Sequence, residues 1–309
     1  MRRRDLLSCV GASMGAIVAA ALLGCESAAP RSDPRPPGAR SDQGQGKTTP
    51  WREVAFAPDK EWAESGRVAY RVAEGKPLLL ALHGAGEHAR GLVPGALGWR
   101  DDYALDRGEG RLRAPPLTSA DFESYVTPQR LVELNDSLAK QPFEGLSVAC
   151  PFTPRAQTLE AAKRWASWLE RTLLPRLRDE AGLPANVKLG IDGVSMGGRL
   201  ALLLGLGRPD LFDSVGALQP ALAVEEVSVF VELAVLSQRA RSAPLRLVTS
   251  EGDPFREAIQ ALADGLLHRS VEHRLLVTPG PHDYAWNRGP GSLEMLLWHD
   301  RVLRGRSSV

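Results

Sequence analysis

A strand, a sharp turn and a helix are predicted to meet within residues 187–206, VKLGIDGVSMGGRLALLLGL. The apolar run breaks at the pentapeptide GVSMG, residues 193–197, and then resumes. A serine on so tight a turn has a strained backbone that pushes its hydroxyl clear of the sheet, and the flanking glycines let neighbouring backbone pass without a Cβ clash. A plain turn serine is the alternative, but the preceding strand and following helix favour a nucleophile at Ser195.

Short apolar runs alternate with helical patterns along the rest of the chain. A continuous apolar run such as residues 78–82 is typical of a strand covered on both faces. Residues 51–74 predict an antiparallel strand pair, and Pro175 is expected to kink or split an amphipathic helix over residues 156–180. Further strands are predicted at 146–150, 214–218, 245–250 and 272–278, and further helices at 221–241, 255–268 and 292–303. The pattern predicts an α/β fold with a mostly parallel sheet and helices on both faces.

Three polar residues each follow the end of a predicted strand: Ser195, Asp253 and His282. Ligands of parallel sheets bind at the carboxyl ends of the strands, so the three side chains are expected at one edge. Their order along the chain, serine then acid then histidine, is that of an α/β-hydrolase. In this arrangement the histidine takes the proton of the serine hydroxyl, and the aspartate fixes the imidazole tautomer.

Alternative acids are present near both strand ends. Glu251 and Asp283 are the competitors of Asp253, although neither matches the strand-end position as well. Asp253 also precedes a proline at the predicted start of a helix, which favours a capping role that is compatible with catalysis. Among the six histidines, only His282 is predicted in a loop after the last strand.

A glycine-rich loop, HGAGE at residues 83–87, follows the first buried strand. An acyl-transfer enzyme must stabilise the negative oxygen of its tetrahedral intermediate, and backbone N–H groups on such a loop can do so. The N–H groups of Met196 and Ala85 are the predicted oxyanion donors, with Gly86 as the alternative to Ala85. An ordinary strand-to-helix turn is the other interpretation, and His83 is expected to hold the loop rather than act as the base.

Four motifs in this order resemble the serine esterases of the esterase D type. They are residues 83–86 (HGAG), 193–198 (GVSMGG), 251–255 (EGDPF) and 280–284 (GPHDY). This group includes S-formylglutathione hydrolases, feruloyl esterases and mycolyl-transferring relatives. The resemblance covers about residues 77–303 and implies the α/β-hydrolase fold, a serine nucleophile, a small-molecule ester substrate and no metal or organic cofactor.

The N-terminal residues predict export. Three arginines, then a nearly uncharged apolar run, then Gly24 and Cys25 are typical of a signal peptide over residues 1–24 that ends in a bacterial lipobox. The arginines resemble a twin-arginine signal without its usual serine, so general secretion is also possible, and a spanning anchor is the competing interpretation. Cys25 would carry the lipid, and the Pro-, Gly- and Ser-rich residues 25–50 would form a disordered tether.

Charge and cysteine content exclude several classes of protein. The net charge is +1, and it is about −1 without the first 24 residues, because three arginines and one aspartate leave with them. Neither value is typical of a nucleic-acid-binding protein. Of three cysteines, Cys150 has no partner once Cys9 and Cys25 are assigned to the N-terminus, which excludes a disulfide framework. Cys150 is therefore expected in the core.

The remaining residues, 51–309, are expected to form one catalytic domain with an inserted loop region around residues 92–143. Part of this region is predicted to cover the active-site end of the sheet, and its aromatic residues either line an acyl pocket or form a packing cluster. The favoured function is a lipid-anchored envelope esterase that acts through an acyl-serine intermediate. An acyltransferase on the same scaffold and a non-catalytic binding lipoprotein are the alternatives.

Overall fold

The computed structural model describes residues 50–156 and 159–308. Residues 1–49 lie outside the described residues. They include the predicted signal peptide, Cys25 and all but the last residue of the predicted tether. Eight strands form one sheet in the order β1-β2-β4-β3-β5-β6-β7-β8. Strands β1 and β2 pair antiparallel, as do β2 and β4, and all other neighbours are parallel. The strands are β1 (Arg52–Phe56), β2 (Gly66–Arg71), β3 (Leu78–Leu82), β4 (Ser147–Pro151), β5 (Leu189–Gly193), β6 (Ser214–Leu218), β7 (Leu245–Gly252) and β8 (Arg274–Pro281).

Helices connect the strands. They are α1 (Ala85–Ala89), α2 (Leu92–Ala96), α3 (Gly98–Asp101), α4 (Leu105–Arg113), α5 (Pro128–Lys140), α6 (Leu159–Trp168), α7 (Leu174–Ala181), α8 (Met196–Gly207), α9 (Val227–Ala240), α10 (Arg256–His268), α11 (Tyr284–Trp286) and α12 (Ser292–Val302). A 3₁₀ turn at Ser119–Phe122, another at Val224–Glu226, and π-helical turns at Leu169–Leu173 and Asn287–Gly291 complete the described elements.

Two apolar clusters cover the two faces of the sheet. Leu78 and Leu80 of β3 belong to one cluster, and Leu79 belongs to the other, because alternate side chains of a strand point to opposite faces. Helices α6 to α10 contribute to the first cluster, and α3 to α5 and α12 contribute to the second. The predicted α/β class, with helices on both faces of a mostly parallel sheet, is confirmed.

Most predicted elements occur within a few residues of their expected positions. The helix predicted over residues 156–180 is split: the π-helical turn separates α6 from α7, and Pro175 lies in the first turn of α7, where its missing N–H costs no hydrogen bond. Strand β8 runs to Pro281, three residues beyond the predicted end, so His282 follows it directly. Cys150 is buried in β4, as expected.

The region at residues 92–143 differs most from its sequence-based description. It is largely helical, because α2 to α5 and a 3₁₀ turn lie within it. Trp99, Tyr103 and Phe122 are fully buried in the second apolar cluster, where they pack with α12. Packing was the favoured prediction for these aromatic residues, and it follows from the large apolar area that each ring removes from water.

Candidate active site

Ser195 occupies the sharp turn between β5 and α8. Its backbone has φ 56° and ψ −118°, a conformation that non-glycine residues rarely adopt. The Ser195 N–H donates to the Leu218 carbonyl at 2.9 Å, which fastens the turn to the end of β6. A Cβ atom at Gly197 would lie 2.5 Å from the Leu82 carbonyl oxygen, so only glycine fits where α8 begins against the end of β3. The pentapeptide therefore forms the strained turn that its glycines predicted.

Asp253 and His282 contact each other at the same edge of the sheet. The His282 Nδ1 lies 3.0 Å from Asp253 Oδ1. Since an ionised carboxylate only accepts hydrogen bonds, Nδ1 carries the proton and Nε2 is left as the acceptor. The Asp253 side chain is fully buried, whereas 22% of the His282 side chain is exposed. Asp253 Oδ2 also accepts the Thr249 hydroxyl at 2.7 Å, which fixes the plane of the carboxylate.

The competing acids lie in other surroundings. Glu251 and Asp283 are exposed, and the Asp283 carboxylate accepts the Trp286 N–H at 2.8 Å as the cap of α11. The capping role considered for Asp253 is only partly realised. Its Oδ1 accepts the Phe255 N–H at 3.0 Å, but Phe255 itself is the residue that precedes α10.

No hydrogen bond joins the Ser195 hydroxyl to His282 among the residues that the structure describes. Their two loops are nevertheless held at one edge of the sheet by Gln219. This buried residue directly follows β6, and its amide donates to the Pro281 carbonyl at 3.0 Å. Catalytic hydrogen bonds without substrate are often long and tighten only when substrate binds. The structure therefore forms the aspartate–histidine pair and places the serine turn at the same edge of the sheet.

The loop after β3 passes beside Ser195. A Cβ atom at Gly84 would lie 3.7 Å from the Ser195 Cβ atom. The His83 Nδ1 donates to the Gly84 carbonyl at 2.9 Å, and its Nε2 accepts the Thr153 N–H at 2.8 Å. Burial lowers the pKa of His83 to about 3, so the ring is neutral and cannot serve as a base that titrates near pH 7. His83 thus holds the loop.

The predicted oxyanion donors lie at helix starts. Met196 is the first residue of α8, and Ala85 and Gly86 are the first two residues of α1. The first N–H groups of a helix have no partner within the helix, so they are available to a negatively charged oxygen. Because the Gly84 carbonyl faces His83, the N–H of Ala85 in the same trans peptide points the other way.

Two residues that orient the site have no motif of their own. Thr249 lies within β7 and binds Asp253, and Gln219 links β6 to Pro281 and to the Ser250 hydroxyl, 2.7 Å away. Gln219 follows the end of a predicted strand, as the three candidate catalytic residues do, so strand ends were the signal that could have found it. Within residues 50–156 and 159–308, no group of His, Cys, Asp and Glu side chains is arranged to hold a metal ion.

The mostly parallel sheet with helices on both faces and the serine turn between β5 and α8 are features of the α/β-hydrolase fold. Residues 142–286 match the Esterase family model. The matched range contains Ser195, Asp253 and His282, and it does not contain the loop at residues 83–87. The resemblance to α/β-hydrolase esterases is thereby confirmed, and the match supports a carboxylic ester hydrolase. No curated protein sequence matches the chain.

Solved structures of esterases share the fold. A ferulic acid esterase is 13% identical with a TM-score of 0.54, covering 82% of this chain and 98% of that one. S-formylglutathione hydrolase from Staphylococcus aureus is 13% identical with a TM-score of 0.54, covering 83% and 99%. Enterobactin esterase from Shigella flexneri is 17% identical with a TM-score of 0.52, covering 82% of this chain and 60% of that one.

Proposed function

We propose that the protein hydrolyses small-molecule carboxylic esters through an acyl-serine intermediate, with Ser195 as the nucleophile. The observation that carries this proposal is the buried Asp253 carboxylate 3.0 Å from His282 Nδ1, at the edge where Ser195 lies on a strained turn. The free Nε2 of His282 is the base that takes the proton from the Ser195 hydroxyl. Asp253 holds the neutral tautomer and stabilises the imidazolium that forms.

In the first step the Ser195 oxygen attacks the ester carbonyl, and the N–H groups of Met196 and Ala85 stabilise the oxyanion. His282 then gives its proton to the leaving alcohol, and the acyl group stays on Ser195. Water attacks this acyl-serine with His282 again as the base, which releases the acid and restores the hydroxyl. The same residues would serve an acyltransferase if an alcohol replaced the water.

The test is hydrolysis of p-nitrophenyl acetate and butyrate, methyl ferulate and acetylated sugars by the residue 51–309 domain and by the full chain. Ser195→Ala is expected to abolish turnover, whereas Ser228→Ala, an exposed serine on α9, is the matched control. A fluorophosphonate should form an adduct at Ser195 alone, located by mass spectrometry. Equal rates in wild type and Ser195→Ala, or an adduct at another serine, would contradict the assignment.

We further propose that the enzyme is exported and held at a bacterial envelope membrane by a lipid on Cys25. The charged, apolar and small-residue pattern of residues 1–25 supports this proposal. In the described part of the chain, no helix combines the length and apolarity needed to cross a bilayer. Cys25→Ser should release the protein from membranes, with Cys9→Ser as the control. Membrane retention of Cys25→Ser would favour a spanning anchor instead.

A further inference from the structure

A buried carboxylate lies directly behind the candidate oxyanion loop. Glu87 is only 1% exposed, although it lies in the short helix α1 at the edge of the sheet. Its carboxylate accepts a hydrogen bond from the hydroxyl of Tyr103, which is also buried. Burying a carboxyl group is costly unless it is paired, and Tyr103 is its hydrogen-bond donor while the Arg90 guanidinium lies 3.7 Å from its other oxygen. The ester-cleavage steps proposed above use neither residue.

Tyr103 connects Glu87 to the backbone of the loop. While its hydroxyl donates to Glu87, the same oxygen accepts the Gly84 N–H at 3.3 Å. Burial and the charge of Glu87 raise the pKa of Tyr103 well above its ordinary value, so the hydroxyl keeps the proton that it donates. The two peptide groups of Gly84 are thus fixed from both sides, by Tyr103 at its N–H and by His83 at its carbonyl.

Tyr284 connects the same cluster to the histidine loop. It lies two residues after His282, and its ring centroid is 5.9 Å from that of Tyr103. A Cβ atom at Gly86 would lie 2.6 Å from the Tyr284 hydroxyl, so this oxygen packs closely against Gly86. Burial and the nearby Glu87 charge raise the pKa of Tyr284, which keeps it neutral there. The glycine at position 86 provides the space that the hydroxyl fills.

We propose that Glu87, Tyr103 and Tyr284 form a clamp that sets the oxyanion loop against the histidine loop, with both tyrosines as positioning residues. This inference rests on the proposed function, because the clamp acts through the Ala85 N–H and His282. It also assigns a role to the region at residues 92–143, since Tyr103, within that region, contacts the loop. A misplacement of about 1 Å in such a loop can cost 100-fold in rate.

The first test is Tyr103→Phe, with Tyr70→Phe as the matched control. Tyr70 is a buried tyrosine on β2 whose hydroxyl donates to Glu180 at 3.2 Å, so both variants lose a tyrosine–glutamate hydrogen bond. We expect Tyr103→Phe to lower kcat about 10- to 100-fold with little change in KM, because the loop contacts the transition state. Tyr70→Phe should leave both constants near wild type. Equal kcat values in the two variants would overturn the clamp.

The second test uses the contact between positions 86 and 284. Gly86→Ala should collide with the Tyr284 hydroxyl and lower kcat, whereas Gly86→Ala with Tyr284→Phe should recover to the rate of Tyr284→Phe alone. The added methyl group then meets the ring at 3.7 Å, an ordinary contact. A double variant no better than Gly86→Ala would overturn the role of Tyr284.

A third measurement does not need turnover. Hydrogen exchange of the peptide spanning residues 83–88 should be faster in Tyr103→Phe than in wild type and Tyr70→Phe, because the Gly84 N–H loses its acceptor. Unchanged exchange would overturn the clamp even in an inactive protein. A wild type that cleaves no ester but shows the faster exchange in Tyr103→Phe would instead contradict only the proposed function.

Discussion

Two sets of serine, histidine and aspartate stand out among the residues that the structure describes, and they differ in burial. In the second set, His299 Nδ1 lies 2.8 Å from Ser214 Oγ, and His299 Nε2 lies 3.0 Å from Asp192 Oδ2. All three of its residues are fully buried between the sheet and α12. In the first set, Ser195 and His282 are partly exposed, and only Asp253 is buried.

Residue types and hydrogen bonds therefore do not separate the proposed catalytic set from a buried one, whereas backbone strain and exposure do. Ser214 begins β6 with its hydroxyl hydrogen-bonded inside the core, whereas Ser195 lies on a strained turn that faces solvent. The ring orientations also differ: the aspartate binds Nε2 in the buried set and Nδ1 in the exposed set. The buried set holds β5 and β6 to α12, and its Asp192 accepts the Gly193 N–H at 2.7 Å, just before the serine turn.

Replacement of the two histidines should give the largest contrast. His282→Gln is expected to lower kcat about 10⁵- to 10⁶-fold, because the serine then lacks its base. His299→Gln should keep kcat near wild type and lower the free energy of unfolding by about 1–3 kcal/mol, since buried polar partners are left unpaired. Steady-state kinetics and urea unfolding of both variants measure this. An inactive but fully folded His299→Gln variant would contradict the assignment of a structural role to His299.

Replacement of the two aspartates, Asp253 and Asp192, should give the same contrast between activity and stability. The loss of kcat should be smaller than for the histidines. Asp253→Asn is expected to lower kcat about 10⁴-fold, because an amide does not hold the imidazole in the required tautomer. Asp192→Asn should cost about 1–3 kcal/mol of stability with little change in kcat, because an amide has one acceptor oxygen and cannot accept from both His299 and the Gly193 N–H. Ester hydrolysis and chemical denaturation separate the two effects. Similar kcat losses in both variants would mean that the buried set shares the chemistry.

Acid should destabilise the folded protein through its buried histidines, His83 and His299. Burial lowers the pKa of His299 from its ordinary value of 6.5, and lowers that of His83 to about 3. The unfolded chain therefore binds more protons than the folded one, so stability is present above pH 6.5 and falls as the pH drops toward 3. His83 costs about 1.4 kcal/mol of stability per pH unit between pH 6.5 and about 3, and His299 lowers stability in the same direction below pH 6.5.

Urea unfolding between pH 7.5 and 5 measures this slope. His299→Gln should have a shallower slope than wild type, and His268→Gln, at the exposed end of α10, should match wild type. Identical slopes in wild type and His299→Gln would show that His299 does not contribute to the pH dependence.

Much of the architecture could be predicted because its signals are local. Continuous apolar runs predicted the strands, and the glycines around Ser195 predicted the turn. Asp253 and His282 were identified by their positions after strands, and the structure holds them in contact. The short helices α2 and α3 could not be predicted from the sequence, because helices of one turn have too few residues to show a periodic pattern and are stabilised by tertiary packing.

The sequence by itself determined the order of strands and helices, the strained serine turn and the candidate nucleophile, acid and base, because each depends on residues close together in the chain. Only the tertiary structure decided that Gln219 joins two strand ends, that Tyr103 reaches the oxyanion loop, and that the set around His299 is buried. Contacts between residues far apart in the chain leave no local pattern, and burial depends on what packs above a side chain.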